Sequence, residues 1–147
     1  MKLSHVTDSG EARMVDISKK PVVHREAVAS GKVFLQPETI EQIKKNQIQK
    51  GDVLAVAKIA GIQGGKKTSE LIPLCHNIPI NKIDVDFSIQ EDGITIKATA
   101  VCDGKTGIEM EALLTVAIAA LSIYDMCKAV DKKMKISELV LTKKSKS

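Results

Sequence analysis

Residues 83–96 read IDVDFSIQEDGITI, and this stretch decides the fold. Apolar and polar side chains alternate from Ile83 to Ile89, and the alternation resumes at Ile94 and Ile96 after an Asp-Gly pair. Alternation with a period of two is typical of a strand with one buried face, and two such runs joined by a turn containing Asp-Gly predict a β-hairpin. One face of this hairpin is apolar and packs against other elements.

Upstream of the hairpin, the chain predicts an extended segment followed by helices. Residues 22–35 suit an extended conformation, and Pro37 stands where the first turn of a helix tolerates proline. The apolar residues between 53 and 60 suit a second helix, which we expect to end at the glycine cluster in residues 61–65.

Downstream of the hairpin, the chain predicts a long helix and a last strand. Thr106 and Glu109 match a capping box, and residues 107–130 contain no proline and are rich in alanine and leucine. The apolar run 139–141 predicts an edge strand. The element order is β-α-β-β-α-β, which is typical of a ferredoxin-like α+β fold with an antiparallel sheet packed by helices on one face.

The long helix carries no charge from Ala112 to Tyr124. A helix that lies on a single sheet keeps a polar stripe, so a helix that is apolar all round predicts a second packing surface, most simply another subunit. The uncharged stretch is shorter than the roughly 20 residues needed to cross a bilayer. We therefore expect no membrane association.

The composition indicates one globular domain over residues 1–147, with 44% hydrophobic and 27% charged residues. We expect residues 1–20 to form an extended arm and residues 143–147 a flexible tail. The start of the chain lacks the hydrophobic segment of a secretory signal, which favours a cytoplasmic location. Three widely spaced cysteines argue against a disulfide framework or a structural zinc site, and no metal site is expected.

The net charge of +4 favours an anionic partner. Binding of single-stranded nucleic acid uses aromatic stacking platforms, and this chain has only two phenylalanines, one tyrosine and no tryptophan. A small polyanion is therefore a better partner than a nucleic acid. Six basic residues could each contact phosphate or be plain surface charges: Lys20, Arg25, Lys50, Lys66, Lys67 and Lys144. The glycine cluster before Lys66 lacks the spacing of a Walker phosphate loop.

Helical spacing places Glu111, Asp125 and Lys128 near one side of the long helix. These residues could be a solvated edge with an ordinary ion pair, since exposed pairs at this spacing are common. They could also be functional. Desolvation at the helix end would raise the pKa of a carboxylate and lower that of a lysine, whereas the proximity of the two opposite charges opposes both shifts. The two groups could then exchange protons near neutral pH.

His76 follows Leu74 and Cys75 in a loop between two prolines. An isolated histidine is more often structural than catalytic. Cys75 and Cys127 could be nucleophiles, but core packing suits them better because no histidine or acid is visibly paired with either.

Six strings resemble the cyclic pyranopterin monophosphate synthase family, the C protein of molybdenum cofactor biosynthesis. They are MVDIS at 14–18, KGDVL at 50–54, IAGI at 59–62, IPLCH at 72–76, KTGIEMEAL at 105–113 and IYDMCKAV at 123–130. The resemblance implies a ferredoxin-like lyase assembled as a homohexamer, a trimer of dimers with active sites between subunits. It also implies conversion of 3′,8-cyclo-7,8-dihydroguanosine 5′-triphosphate to cyclic pyranopterin monophosphate and pyrophosphate. No cofactor is implied, although Mg²⁺ could accompany the triphosphate.

The resemblance also implies roles for individual residues. Asp125 and Lys128 match the catalytic acid/base pair of the family. The substrate-contacting motifs are matched by Leu74, Cys75, His76, Met110 and Glu111, and basic positions around the pocket by Lys20, Arg25, Lys50 and Lys144. Lys66, after the glycine cluster, is a further candidate for the phosphates.

The chain departs from the family pattern at three places. Gly64 and Gly65 replace the usual alanines, Asn77 replaces a proline, and the C-terminal segment is shortened. Two other functions stay open at this point. One is a non-catalytic module that binds or senses a purine nucleotide, and the other is a basic assembly protein that binds RNA or an acidic partner.

Overall fold

The computed structural model describes residues 4–147 and contains four strands and four helices. In chain order they are β1 (Val23–Phe34), α1 (Pro37–Lys44), α2 (Val53–Lys66), α3 (Thr68–Leu71), β2 (Ile80–Gln90), β3 (Gly93–Gly104), α4 (Glu109–Cys127) and β4 (Lys135–Lys146).

The strands form one antiparallel sheet in the order β2-β3-β1-β4. The predicted hairpin is confirmed: β2 and β3 pair from Gln90 opposite Gly93 to Ile80 opposite Cys102. The order of strands and helices is that of a ferredoxin-like α+β fold, as predicted. Helices α2 and α4 pack against the sheet, so the apolar face of the hairpin is buried beneath them.

Small side chains line the centre of the sheet beneath α4. Ala27 and Ala29 of β1 lie opposite Ala100 and Ala98 of β3, and all four are fully buried. Gly31 continues the row, and a Cβ atom there would lie 2.8 Å from Cγ1 of Val116. These residues let α4 approach the sheet closely.

The prediction that α2 ends at the glycine cluster is wrong, because α2 continues through it to Lys66. The glycines face α4, where Cβ atoms would lie 2.9 Å from the Thr115 carbonyl oxygen at Gly61 and 2.6 Å from Ile118 Cγ1 at Gly64. Packing of two helices at short range offsets the weak helix propensity of glycine. The cluster is thus a contact surface.

The predicted capping box at the start of α4 is also wrong. Ile108 is the N-cap residue and makes no side-chain capping bond. Glu109 instead accepts a hydrogen bond from Lys144 Nζ at 3.0 Å, so a long-range ion pair replaces the predicted local hydrogen bonds of the capping box.

Residues 143–147 were expected to form a flexible tail, but β4 extends to Lys146. Lys143, Lys144 and Lys146 pair with β1, and the Ser147 and His24 backbones exchange hydrogen bonds of 2.9 and 3.1 Å. The reason is that β1 offers a free edge with unpaired backbone groups. Before β1, residues 4–20 contain turns and an isolated bridge between Val6 and Ala12.

Helix α4 is long and apolar enough to cross a membrane by length and composition, and half of its apolar stretch is buried within the protein. Its buried side chains, such as Ile123, belong to the hydrophobic core that α4 forms together with the sheet and α2. Leu121 and Tyr124 are exposed on the outer side. The second packing surface of this helix stays a prediction.

Candidate active site

Three charged side chains meet at the C-terminal end of α4. Asp125 lies in the last turn, and its Oδ1 is 3.0 Å from Nζ of Lys128, the C-cap residue. Lys50, in the connection between α1 and α2, places its Nζ 3.0 Å from Asp125 Oδ2 and 3.1 Å from the Asp125 carbonyl oxygen. We call these three residues the α4-end triad.

The triad is exposed, with 57% of the Asp125 side chain accessible to solvent. Hydrogen bonds from Lys128 and Lys50 and their positive charges lower the pKa of Asp125. Of the two opposing effects that the sequence predicts, desolvation and the neighbouring positive charge, the charge prevails. The carboxylate is exposed to solvent and accepts hydrogen bonds from two cationic donors. Asp125 is therefore ionised at neutral pH.

At the other end of α4, basic residues from three segments surround a cavity of about 450 Å³. Lys20 comes from the N-terminal arm, Arg25 from β1 and Lys144 from β4. Arg25 Nε donates to the Gly104 carbonyl oxygen at 3.0 Å, which fixes the guanidinium at the cavity wall. We call this space the cationic cavity. It can receive an anion with several charged oxygens.

A second cavity of about 140 Å³ lies beside the first, and both are lined by Thr106, Gly107 and Glu109. The remaining lining residues include the five for which the family resemblance implies substrate contact: Leu74, Cys75, His76, Met110 and Glu111. We call it the His76 cavity. The two cavities together could hold a ligand with an anionic part and a compact polar part.

His76 is held by the N-terminal arm. Its Nε2 donates to the Val15 carbonyl oxygen at 2.6 Å, which leaves Nδ1 as the second polar atom of the ring. The arm thus positions the imidazole beside the cavity. Burial raises the pKa of the neighbouring Cys75 thiol, and the charges of Glu111 and Glu109 raise it further. The thiol is protonated at neutral pH and is not an activated nucleophile.

Glu111 is a buried carboxylate on the wall of the His76 cavity, with 4% of the residue exposed. Burial raises its pKa, and the nearby charge of Glu109 adds to the effect. A carboxyl group in this setting can exchange a proton with a ligand or accept hydrogen bonds from ligand N–H groups.

Glu109 is a residue of both cavities that sequence reasoning did not single out as a site. Its Oε1 accepts from Lys144, whereas Oε2 is buried and lacks a hydrogen-bond partner among residues 4–147. The capping-box pattern had given Glu109 a local role. Only the tertiary structure shows that Glu109 lies between a cation and two cavities and carries a buried polar atom without a partner in the described part of the chain.

The helical spacing that predicts Glu111, Asp125 and Lys128 on one side of α4 also places them at its two ends, Glu111 in the first turn and the other two at the C-terminal end. Fourteen residues separate Glu111 from Asp125, which corresponds to about 21 Å along the axis. Within one chain, the α4-end triad is therefore remote from His76 and from the cationic cavity. Glu111 is buried, whereas Asp125 and Lys128 face solvent.

Two other candidates lie apart from both clusters. Lys66 lines a separate cavity of about 220 Å³ with Asn81 and Lys82, beside the outer strand β2. Cys127 is fully buried, and burial, followed by the charge of Asp131, raises its pKa to about 11. A core role for Cys127 is confirmed. Residues 4–147 hold no group of three or more His, Cys, Asp or Glu side chains that could bind a metal ion.

Comparison with known proteins gives a consistent result. The protein-family model described as "MoaC family" matches residues 14–147 of this chain. The chain is 52% identical over 145 residues to the cyclic pyranopterin monophosphate synthase of Peptoclostridium acidaminophilum, covering 99% of this chain and 92% of that protein. It is 51% identical over 144 residues to the enzyme of the same name from Clostridium acetobutylicum, covering 97% and 89%.

A longer relative also matches. The chain is 51% identical over 145 residues to the molybdenum cofactor biosynthesis bifunctional protein of Chlorobaculum tepidum. The match covers 99% of this chain but 46% of that protein, so the chain corresponds to about half of it.

Proposed function

This chain belongs to the MoaC family and is an enzyme of molybdenum cofactor biosynthesis, and we propose that it converts 3′,8-cyclo-7,8-dihydroguanosine 5′-triphosphate into cyclic pyranopterin monophosphate and pyrophosphate. The resemblance seen in its sequence strings is confirmed by the family match. The identity of the substrate and the lyase class of the reaction are part of the proposal.

The observation that carries the proposal is the pair of adjoining cavities. A triphosphate has about four negative charges at neutral pH, and Lys20, Arg25 and Lys144 can oppose them with charge-assisted hydrogen bonds, which are roughly twice as strong as neutral ones. The His76 cavity next to it would hold the purine-derived part. Glu111 and Glu109 line this cavity, and carboxyl groups suit the N–H groups of that part.

The α4-end triad would supply proton transfer. Asp125 is a carboxylate at neutral pH and can accept a proton, while the Lys128 ammonium can donate one. A positioned acid or base contributes about 10²- to 10⁴-fold in rate. We propose that this pair moves protons as the guanine-derived ring opens and the pyranopterin ring closes.

Formation of the cyclic phosphate would follow. A ribose hydroxyl oxygen attacks the innermost phosphorus and forms a P–O bond, while the bond from that phosphorus to the bridging oxygen breaks. The bridging oxygen leaves with the electron pair as pyrophosphate. The hydroxyl proton passes to a base of the site, for which Asp125 is the candidate.

The distance of about 21 Å along α4 has a structural consequence. If the triad and the two cavities act on one substrate, two copies of the chain must supply them. The geometry requires at least two copies, and the resemblance to the family sets the number: we propose a homohexamer, a trimer of dimers with active sites between subunits. The exposed apolar side chains of Leu121 and Tyr124 and an apolar groove of about 220 Å³ between α4 and β4 support association of copies.

Two further properties belong to the proposal. We expect a cytoplasmic enzyme, in keeping with a biosynthetic role on a nucleotide-derived substrate. We also expect no resident cofactor, with any Mg²⁺ arriving as part of the triphosphate substrate.

The test is to incubate the purified protein with the cyclised triphosphate and to measure pyrophosphate and the pterin product. Asp125→Ala and Lys128→Ala should abolish detectable turnover without changing assembly, while Lys58→Ala, an exposed position on α2, should match the wild type. Near-normal turnover in both triad variants would refute the assignment. Binding of the triphosphate by the wild type without pyrophosphate release would favour a nucleotide-sensing module instead.

A further inference from the structure

A buried carboxylate follows the α4-end triad at Asp131. Only 3% of the residue is exposed. Oδ2 accepts hydrogen bonds from the Gln36 backbone N–H and from Thr39 Oγ1, both at 2.9 Å, and Oδ1 accepts from the Lys133 N–H at 3.0 Å. We call these contacts the Asp131 clamp.

The clamp joins two segments that are far apart in the sequence. Gln36 and Thr39 belong to the start of α1, and the Asp131 N–H donates to the Cys127 carbonyl oxygen at 3.0 Å, closing the turn that contains Lys128. The last turn of α4 is thereby tied to the first turn of α1.

One of these segments, the end of α4, carries Asp125 and Lys128 of the triad. Lys50 follows α1 in the connection to α2. The contact of Lys50 with Asp125 thus depends on the position of α1 and of the connection after it relative to α4. Asp131 is the buried charged group that connects them.

The chemistry of the clamp suits a positioning role. Burial acts to raise the pKa of Asp131, but the hydrogen bonds from Gln36, Lys133 and Thr39 outweigh it, so the pKa is lowered and the group is an anion at neutral pH. An ionised carboxylate accepts three hydrogen bonds in directions that a neutral amide cannot all match, since one end of an amide only donates.

We propose that Asp131 is a positioning residue for the reaction, which fixes Lys50 against Asp125 by clamping the start of α1 to the end of α4. This inference rests on the proposed function. Asp131 does not itself touch the reacting atoms. It determines the geometry of the proton-transfer groups and leaves the cationic cavity, at the far end of α4, unchanged.

The experiment compares Asp131→Asn, Thr39→Val and Thr39→Ser with the wild type in the full-length protein. Asp131→Asn should lower kcat by about 10-fold or more, with KM for the cyclised triphosphate within about twofold. Thr39→Val, which removes the donor hydroxyl at similar volume, should lower kcat by a few-fold. Thr39→Ser retains the hydroxyl and should retain kcat.

A second readout is independent of turnover. The pKa of Asp125, measured by carbon NMR on the folded protein, should rise towards its ordinary value in Asp131→Asn and Thr39→Val, because Lys50 is displaced. It should stay at the wild-type value in Thr39→Ser. If Asp131→Asn fails to fold, the proposal is judged on the kinetics and titration of Thr39→Val.

The outcomes separate the two proposals. An inactive wild type overturns the proposed function, whereas the NMR titration still decides the role of Asp131. An unchanged kcat and an unchanged Asp125 titration in folded Thr39→Val and Asp131→Asn would overturn the positioning role. A rise in KM equal to the loss in kcat would also overturn it.

Discussion

Lys50 and Asp125 are 75 positions apart in the sequence, yet Lys50 Nζ lies 3.0 Å from Oδ2 of Asp125. With Lys128 on the other oxygen, the carboxylate stands between two ammonium groups. All three side chains are about half exposed, so their ion pairs contribute little to stability. The arrangement holds the groups to which we assign proton transfer in the proposed function, and its consequences are best tested by titration and kinetics.

The first prediction concerns the titration of Asp125. Because the lysines lower its pKa, the carboxylate is still more than half ionised at pH 3.8, which is the ordinary pKa of an aspartate. Lys50→Met and Lys128→Met should each move the pKa upwards, and high salt should do the same in the wild type. Carbon NMR measures the change, with Lys58→Met as the control. Identical titrations in all four proteins would contradict the geometry.

The second prediction concerns the cationic cavity. Lys144→Ala should raise KM for the triphosphate by about 10- to 100-fold, since a hydrogen bond to a charged group is worth about 1.5–3 kcal/mol. Arg25→Ala should have a similar effect. Steady-state kinetics provides the measurement, and Lys97→Ala on an exposed position of β3 is the control. A KM near that of the wild type for both variants would place the phosphates elsewhere.

The third prediction is that residues of two chains together form each active site. His76→Ala and Lys128→Ala should each be inactive alone, because one lacks a cavity residue and the other a triad residue. Mixed assemblies from co-expression should recover about a quarter of wild-type activity. Half of the chains have an intact cavity and the other half an intact triad, so about one site in four combines the two. Mixtures as inactive as the parents would show that one chain supplies both sides.

The fourth prediction concerns the contact between α2 and α4. Gly61→Ala should destabilise the protein by about 1–3 kcal/mol, since the new methyl would lie 2.9 Å from the Thr115 carbonyl oxygen, and overpacking of a close contact has this magnitude. The gain in helix propensity, up to about 1 kcal/mol, offsets only part of it. Chemical denaturation measures the difference, and the exposed Gln63→Ala should stay within about 0.5 kcal/mol of the wild type.

The fifth prediction concerns the pH dependence of stability. Burial raises the pKa of Glu111 above 4.5, so the folded protein binds a proton there more tightly than the unfolded chain. The contribution of Glu111 to the free energy of unfolding is therefore fully present below pH 4.5, and it is lost as the pH rises through the folded-state pKa. Glu111→Gln should be more stable than the wild type at pH 7 and equal to it at low pH. Denaturant titrations at both pH values test this, and a less stable variant at pH 7 would contradict it.

Much of the fold is determined locally. The hairpin follows from alternation in residues 83–96, and the position of α4 follows from an uninterrupted apolar helix-forming segment. Both signals arise from neighbours in the chain, because strand and helix periodicities of 2 and 3.6 residues decide which side chains share a face. The sequence strings also identified the family, which the comparisons confirm.

Other features depended on contacts between distant segments, which no local pattern encodes. The glycine cluster continues a helix because α4 packs against it, and Glu109 pairs with Lys144 of β4 instead of capping α4. The tail is a strand because β1 has an open edge.

For the site, the sequence by itself supplied the residue types: an acid and an amine one helical turn apart, a histidine in a loop and an excess of lysine. Only the tertiary structure decided which of these residues lie close together and which lie apart. A straight helix holds Glu111 and Asp125 about 21 Å apart, and the fold brings Lys50 to Asp125 and buries Asp131 against the start of α1. Distance along a rigid helix and burial of a charge are properties of the folded chain, because both depend on which segments pack together.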